Sequence, residues 1–383
     1  MNIDTRIFLK KKFREYYCKN RIPAPNEIER REFGVGTLES KIKIRHKSFK
    51  TERELNNFLR RDSPFYISYS IAYYEFPENQ PMSNKGWLGS DLVFDLDIDM
   101  DFINLERLES VKENAINLIE FLTSDFGFSI NEIGINFSGT KGYHIHVNNA
   151  SVRNLESDER REIIDYITGS GLKIECFMYP EIAKGVTDNY RMPSIIRGPR
   201  SDSLGWARRI YNAAMEFIGL EERELRRING IGETKAKRIA KDRNTIIRLL
   251  ENGRWDGVVN LNFSRIIQER VIRENAIRLT GHADRMVTID KTRLIRLPET
   301  LHAGSGLIAK KISANELTEF NPLTDAIAFS EQLIGIRIKS EIPRFEMNEQ
   351  RFGPYKKGIV KVPEYVGIYL MLNDYAEYPN KKI

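Results

Sequence analysis

The segment from Asp91 to Asp101, Asp-Leu-Val-Phe-Asp-Leu-Asp-Ile-Asp-Met-Asp, most constrains what this chain can fold into. A strand puts residues i and i+2 on one face. Read as a strand over 91–98, the segment lines one face with Asp95, Asp97 and Asp99 and packs Phe94, Leu96 and Ile98 into the other. Carboxylates this close repel, each pair costing about 1–4 kcal/mol in a partly solvated site. A fold keeps such a cluster where a cation neutralises it. Oxygen donors on a rigid strand suit Mg²⁺ or Mn²⁺, ions that handle phosphates. The plain alternative is a solvated acidic edge strand, and the firmly apolar alternate positions argue against it.

With 383 residues, 41% apolar and 10% aromatic, the chain can bury a sizeable core as two domains or as one domain with an insertion. That composition excludes a disordered chain. No apolar run approaches the roughly 20 residues that span a bilayer. The charged stretch from Met1 to Arg14 lacks a signal-peptide core, so a cytosolic protein is expected. Two distant cysteines, Cys18 and Cys176, supply neither a disulfide framework nor a Cys-x-x-Cys zinc site, and both read as small buried apolar residues. Charge is uneven. Residues 1–61 hold 17 Lys or Arg against 8 Asp or Glu, a balance of +9 in a chain whose net charge is +6. A basic first part beside an acidic metal-type cluster points to a polyanionic substrate.

Periodicity predicts helices over 4–19, 52–59 and 105–123, and strands at 42–45, 65–74, 91–98, 133–137 and 143–147. Residues 154–182 read as mixed and mostly helical, and 194–205 as a Pro/Gly/Ser-rich connector. From 206 to 280 the chain is helical and charged. Strand character returns at Met286–Ile289 and Leu294–Arg296. The expected layout is an α/β domain in two parts, 1–200 and 281–345, with a helical insertion at 206–280 and an extension at 346–383. Within that extension Val360 to Leu370 fits an edge strand or a docking helix.

Two further constellations carry chemistry. Ser138-Gly-Thr-Lys-Gly142 makes a turn whose backbone N–H groups can face an anion, with Lys141 adding a charge. His144 and His146 follow on one strand face, opposite Tyr143, Ile145 and Val147. An ordinary hairpin with two partly exposed histidines is the bland alternative. A strand follows the turn, so this is not a Walker A loop. The second stretch holds Asp284, Asp290, Arg296 and His302 near another Gly/Ser turn, Gly304-Ser-Gly306; alone it is weak.

Together these segments resemble the catalytic (small) subunit of archaeal and eukaryotic replicative DNA primase. The residues carrying the resemblance are Phe94-Asp95-Leu96-Asp97, Ser138-Gly139…Gly142-Tyr143-His144, and Leu294-Ile295-Arg296-x-Pro298…Leu301-His302…Gly306. Arg31-Glu32-Phe33 and Ile44-Arg45-His46-Lys47-Ser48-Phe49 match its N-terminal signature. The match runs from about residue 10 to 340 and thins across 155–280. It implies an archaeo-eukaryotic primase fold, α/β, with two sheets flanking the active site and a helical insertion. It implies a DNA-dependent primase that works by two-metal nucleotidyl transfer, making short primers on a single-stranded DNA template from nucleoside triphosphates. Asp95 and Asp97 resemble the first two ligands of Mg²⁺ or Mn²⁺. Asp284, by its offset from His302, fits the third better than Asp290. Ser138, Lys141, His144, Arg296 and His302 resemble triphosphate contacts. Arg45 and Glu32 resemble residues lining the nucleotide pocket. The implied partner is a large primase subunit in a heterodimer, with no membrane, in the cytoplasm if the chain is archaeal.

Two departures stand out. Many members carry a zinc knuckle after the Asp-x-Asp, but residues 98–137 contain no Cys or His, so no structural zinc is expected. Thr140 and Lys141 stand where relatives can have two arginines. The insertion adds Leu225–Lys241, which resembles a helix-hairpin-helix. Ile228, Ile231, Ala236 and Ile239 would pack it, Gly230 and Gly232 would permit the hairpin, and Lys235, Lys237 and Arg238 would meet a DNA backbone. Residues 221–250 carry nine Lys or Arg against five Asp or Glu, which also fits an ordinary solvated helical face. Three other readings stay open: a stand-alone primase-polymerase in repair, a non-catalytic nucleic-acid-binding relative, and a metal-dependent phosphodiesterase. The intact Asp95/Asp97 pair speaks against the second. The cations around Lys141 and Arg296 speak for nucleotide addition over cleavage.

Overall fold

The computed structural model describes residues 1–182, 194–259, 263–279 and 282–379. The fold is mixed α/β with several antiparallel sheets. The chain divides into two compact units. One comprises Met1–Ile119, Phe128–Ile164 and Leu279–Ile383, the other Glu120–Gly127 and Asp165–Arg278.

Two four-stranded antiparallel sheets dominate the first unit. One runs in the order Leu294–Arg296, Tyr66–Ser70, Phe33–Gly36, Ile44–Lys47. The other runs Lys311–Ile312, Ile133–Phe137, Gly142–Val147, Leu92–Asp97. In the second sheet Phe94, Leu96, Phe137, Tyr143, Ile145 and Val147 are all fully buried. A one-residue slip would turn that whole set toward the polar side, so burial fixes the register. The register sets Asp95 opposite His144 and Asp97 opposite Gly142. Glycine is required at 142, because a Cβ there would collide with the Leu96 carbonyl and lie 2.6 Å from Asp97 Oδ1.

Local chemistry explains the flanking helices. Asn2 caps Ile3–Lys19 by accepting from the Thr5 amide at 2.8 Å, and Thr51 caps Glu52–Asp62 by accepting from the Glu54 amide at 3.2 Å. Helix Leu105–Glu120 buries Leu108, Val111, Ala115 and Leu118 and ends in a π turn, Phe121–Asp125. The C-terminal extension contains both elements its sequence allowed. Strand Gly358–Pro363 pairs with Leu333–Ile338, which also pairs with Ala376–Glu377, and helix Glu364–Leu372 follows the first strand directly. That helix is buried from Glu364 to Met371, and Lys12 meets Glu364 at 2.7 Å.

The second unit packs Gly205–Gly219 with Glu233–Glu251 and Phe263–Asn275, and holds a strand pair, Tyr179–Ile182 with Ser194–Arg197. Its longer segment begins at Asp165, upstream of the helical insertion expected from 206. The Ile277 amide donates to the Ile167 carbonyl at 2.9 Å and the Ile174 amide to Gln268 at 3.2 Å, so residues 165–178 pack with Phe263–Asn275. Strand Ser194–Arg197 occupies the start of the expected connector.

Two other expectations are corrected. Met286–Ile289 is helical, part of His282–Ile289. Four apolar residues carry no period of their own to separate strand from helix. Cys18 and Cys176 are exposed, not buried. Helix Ile3–Lys19 buries Thr5, Leu9, Phe13, Tyr16 and Tyr17, and Cys18 lies off that stripe, as does Ile7 at 61% exposed. No helix among the described residues is long and apolar enough to cross a membrane.

Candidate active site

A cleft of about 660 Å³ in the first unit gathers side chains from both four-stranded sheets. The second sheet supplies Asp95, Asp97 and His144, and the first supplies Tyr66, Ser68 and Arg296. The turn at 138–142 adds Ser138, Thr140 and Lys141, and the turn at 302–306 adds His302 and Gly304. The carboxylates, Ser138, Lys141, His144, Arg296 and His302, separated by more than 200 positions of sequence, therefore converge on one space.

His144 Nε2 lies 3.4 Å from Asp95 Oδ1. Burial, with the charges of His146 and Arg296, pulls the His144 pKa down to about 3. The ring is therefore neutral at pH 7. Strand Leu92–Asp97 ends before Ile98, which lines the cleft instead of packing behind the strand, and Asp99 at the rim is exposed. Past the strand's end the two-residue alternation no longer dictates faces.

The 138–142 turn closes on itself. The Ser138 amide donates to the Gly142 carbonyl at 2.8 Å, and Ser138 Oγ accepts from the amides of Gly142 and Thr140 at 3.2 and 3.4 Å. Those two amides thus point to Ser138, and the hydroxyl's own proton is left to donate outward. Gly139 sits at φ +93°, and a Cβ there would meet His302 Cβ at 2.7 Å. Lys141 makes no ion pair among the described residues and lines the cleft. Ser305 Oγ donates to the Gly139 carbonyl, joining the two turns.

Arg296 is the cleft's deep cation. Burial lowers its pKa to about 10, and its Nε and Nη1 are buried with no hydrogen-bond partner among the described residues. Its guanidinium lies 4.8 Å from the Tyr66 ring centroid, and that ring packs edge-on against His302 at 5.7 Å. His302 Nδ1 accepts from the Gly304 amide at 2.9 Å, and burial holds its pKa well below 6.5. The neutral ring therefore carries its proton on Nε2.

Glu32 and Arg45 pair with each other and do not line this cleft. Glu32 is fully buried, held by Arg45 through two contacts of 2.9 and 3.3 Å and by the His46 amide at 3.2 Å. Asp290 accepts from the Thr292 amide and hydroxyl at 2.9 and 2.8 Å and is likewise outside the cleft. Asp284 belongs by its backbone to helix His282–Ile289, which packs on strand Leu92–Asp97, but its side chain lies outside the described residues. Among the described residues no set of three or more His, Cys, Asp or Glu is gathered for a metal. Asp95 and Asp97 nevertheless fit a hard divalent ion: two carboxylates on one strand face, oxygen donors only, opening on the cleft.

The cleft also contains Lys41, Tyr66, Ser68, Arg293 and Asn373, which sequence reasoning passed over. Lys41 and Arg293 could have been sought among the cations flanking the motifs. Asn373, from the C-terminal extension, carried no signal.

In the second unit, Gly230 takes φ +91° and Gly232 caps helix Glu233–Glu251. Ile231, Ala236 and Ile239 are buried, while Lys237 is exposed and Lys235 half-buried. The preceding helix is only Glu222–Leu225, and Glu233 in the first turn pairs with Lys237 at 2.8 Å and Arg226 at 3.2 Å.

Comparison with known proteins bears on this arrangement. Residues 94–314 match the model of the DNA primase small subunit family. The chain is 37% identical over 404 residues to the DNA primase small subunit PriS of Methanothrix thermoacetophila, covering 98% of this chain and 100% of that one. It is 35% identical to the DNA primase small subunit PriS of Methanococcoides burtonii, covering 99% and 100%, and 35% identical to that of Methanosarcina acetivorans, covering 100% and 99%.

Proposed function

Because the chain belongs to the DNA primase small-subunit family, we propose that the cleft is the catalytic centre of a DNA-dependent primase. The protein is a template-directed nucleotidyltransferase that joins nucleoside triphosphates into primers for DNA replication. One observation carries the assignment to this cleft: two carboxylates and a set of phosphate-type donors, far apart in sequence, share it.

Asp95 and Asp97 are the metal side of the site. Magnesium or manganese held there would lower the pKa of a primer 3′-hydroxyl and neutralise the triphosphate. Asp284 is our third carboxylate. Val287, one helical turn later, lines the cleft, whereas Asp290 is committed to Thr292. Lys141 and Arg296 bind phosphate oxygens by charge, and Arg296 Nε and Nη1, without hydrogen-bond partners among the described residues, suit phosphate oxygens as acceptors. Ser138 Oγ and His302 Nε2 donate further hydrogen bonds. His144, kept neutral by burial, adds no charge beside Asp95. Glu32 and Arg45 shape the sheet around the nucleotide through their own pair. The two sheets flank this centre in the manner of the primase fold, with residues 206–280 as the insertion.

The relatives' description as a small subunit supports a larger partner subunit in the working enzyme. The hairpin at Gly230 and Gly232 is our candidate for a sequence-independent second contact with template DNA, through Lys235 and Lys237. Bulky residues at both glycines should weaken template affinity in a salt titration, and unchanged affinity rejects that contact.

The deciding experiment incubates the chain and its partner subunit with single-stranded template, nucleoside triphosphates and Mn²⁺. Dinucleotides and extended products are expected. A shortened template would instead mark a phosphodiesterase, and unaltered reactants a binding module.

A further inference from the structure

The C-terminal extension ends its helix inside the cleft, and the contacts there lead to one of the phosphate donors. Helix Glu364–Leu372 is followed by Asn373, whose Nδ2 donates to the Gly304 carbonyl at 2.8 Å and to the Tyr369 carbonyl at 2.9 Å. Gly304 in turn donates its amide to His302 Nδ1 at 2.9 Å. The same helix backs the turn at a second point: Gly306 adopts φ +77°, and a Cβ there would meet Ile368 at 2.9 Å. Gly304 also lies close under the imidazole, since a Cβ on it would stand 3.0 Å from His302 Cε1. The turn therefore has little freedom apart from the helix behind it.

We propose that Asn373 is a positioning residue for nucleotide binding: by clamping the Gly304 carbonyl it holds the glycine whose own amide, on the preceding peptide, fixes the tautomer and direction of His302. The amide engaging Nδ1 leaves the ring's one proton on Nε2, the donor a phosphate oxygen needs. Releasing the Gly304 carbonyl lets the turn rotate, and Nε2 loses its aim without losing its chemistry. The C-terminal extension is then part of the active site, not only a cap on the fold. This inference rests on reading His302 as a phosphate contact.

The test is a double-mutant cycle on the assembled primase, reading the nucleotide KM and kcat separately on a preformed primer–template. Asn373→Leu keeps the side chain's size without adding charge but removes the donor. It should raise the nucleotide KM about threefold to tenfold, the worth of one hydrogen bond, with kcat changed less. His302→Ala should raise KM at least as much, and adding Asn373→Leu to it should raise KM no further. An Asn373→Leu enzyme with unchanged KM overturns the inference. So does a loss that appears equally in the His302→Ala background, the mark of a merely structural role. If His302→Ala alone leaves the nucleotide KM unchanged, the reading of His302 as a phosphate contact fails instead, and the inference falls with it.

Discussion

The acidic strand has two ends built from the same residue type. At Asp91 the carboxylate is sealed. It is 4% exposed, meets Arg31 at 2.7 Å and accepts from the Tyr73 hydroxyl at 2.7 Å. Arg31 is equally committed, donating to the carbonyls of Asn26, Ser70 and Ile71 and lying 3.5 Å from the Tyr73 ring centroid. Four residues on, Asp95 opens on the cleft, and the arginine serving that end, Arg296, has two buried nitrogens, Nε and Nη1, unanswered among the described residues. A buried charge with every donor satisfied belongs to the fold. A buried charge with donors left over is set up for a ligand.

The largest effect should come from the open end. Asp95→Ala and Asp97→Ala should each cut primer synthesis by at least about a thousandfold, about 4 kcal/mol of barrier. The melting temperature should hold or rise slightly, because like charges are thinned. Retained synthesis in either variant would reject the metal assignment.

The sealed end should respond in the opposite way. Asp91→Ala leaves Arg31 charged and buried without its partner, which should lower stability by about 3–5 kcal/mol in denaturant titration. Activity per folded molecule should survive. If Asp91→Ala removed synthesis at unchanged stability, the division of the strand into two ends would be wrong.

The two arginines sharpen the contrast. Arg296→Met should raise the nucleotide KM about tenfold or more while leaving stability equal or improved, because an unsatisfied buried cation has been removed. Arg31→Met should destabilise, because it strands Asp91. Equal stability losses in the two variants would show that Arg296 has a structural partner after all.

Much of this was written in the sequence, because the two-residue period of strands is a local property. The stripe Phe94, Leu96, Tyr143, Ile145 reports its face directly, and the Ser138–Gly142 turn announces itself through its glycines. What separates Asp91 from Asp95 is not local. The seal on Asp91 comes from Arg31 and Tyr73, distant in sequence, and no spacing rule brings them there. The same limit hid Asn373, whose role depends on a helix returning from the end of the chain. Met286–Ile289 failed for another reason: the run was too short to express either period.

The smallest effect tests how dry the sealed side is. His146 is 4% exposed, stacks on Tyr69 with centroids 6.5 Å apart, and has an Nε2 with no hydrogen-bond partner among the described residues. Burial pulls its pKa down to about 4, against an upward pull from Asp91 and with the charges of Arg31 and Lys311 adding to the lowering. The unfolded chain takes up that proton near pH 6.5 and the folded chain only near pH 4. Between those values the unfolded state binds more protons, so stability must fall as pH drops through the window and be complete above it. The melting temperature should therefore decline from pH 7 to pH 5, and His146→Phe should flatten part of that slope. His144 and His302 would contribute in the same direction, so the variant's share isolates His146. An NMR titration of the His146 ring with a midpoint near 6.5 would mean that water reaches the sealed side, and the two ends of the strand would then differ in pairing but not in burial.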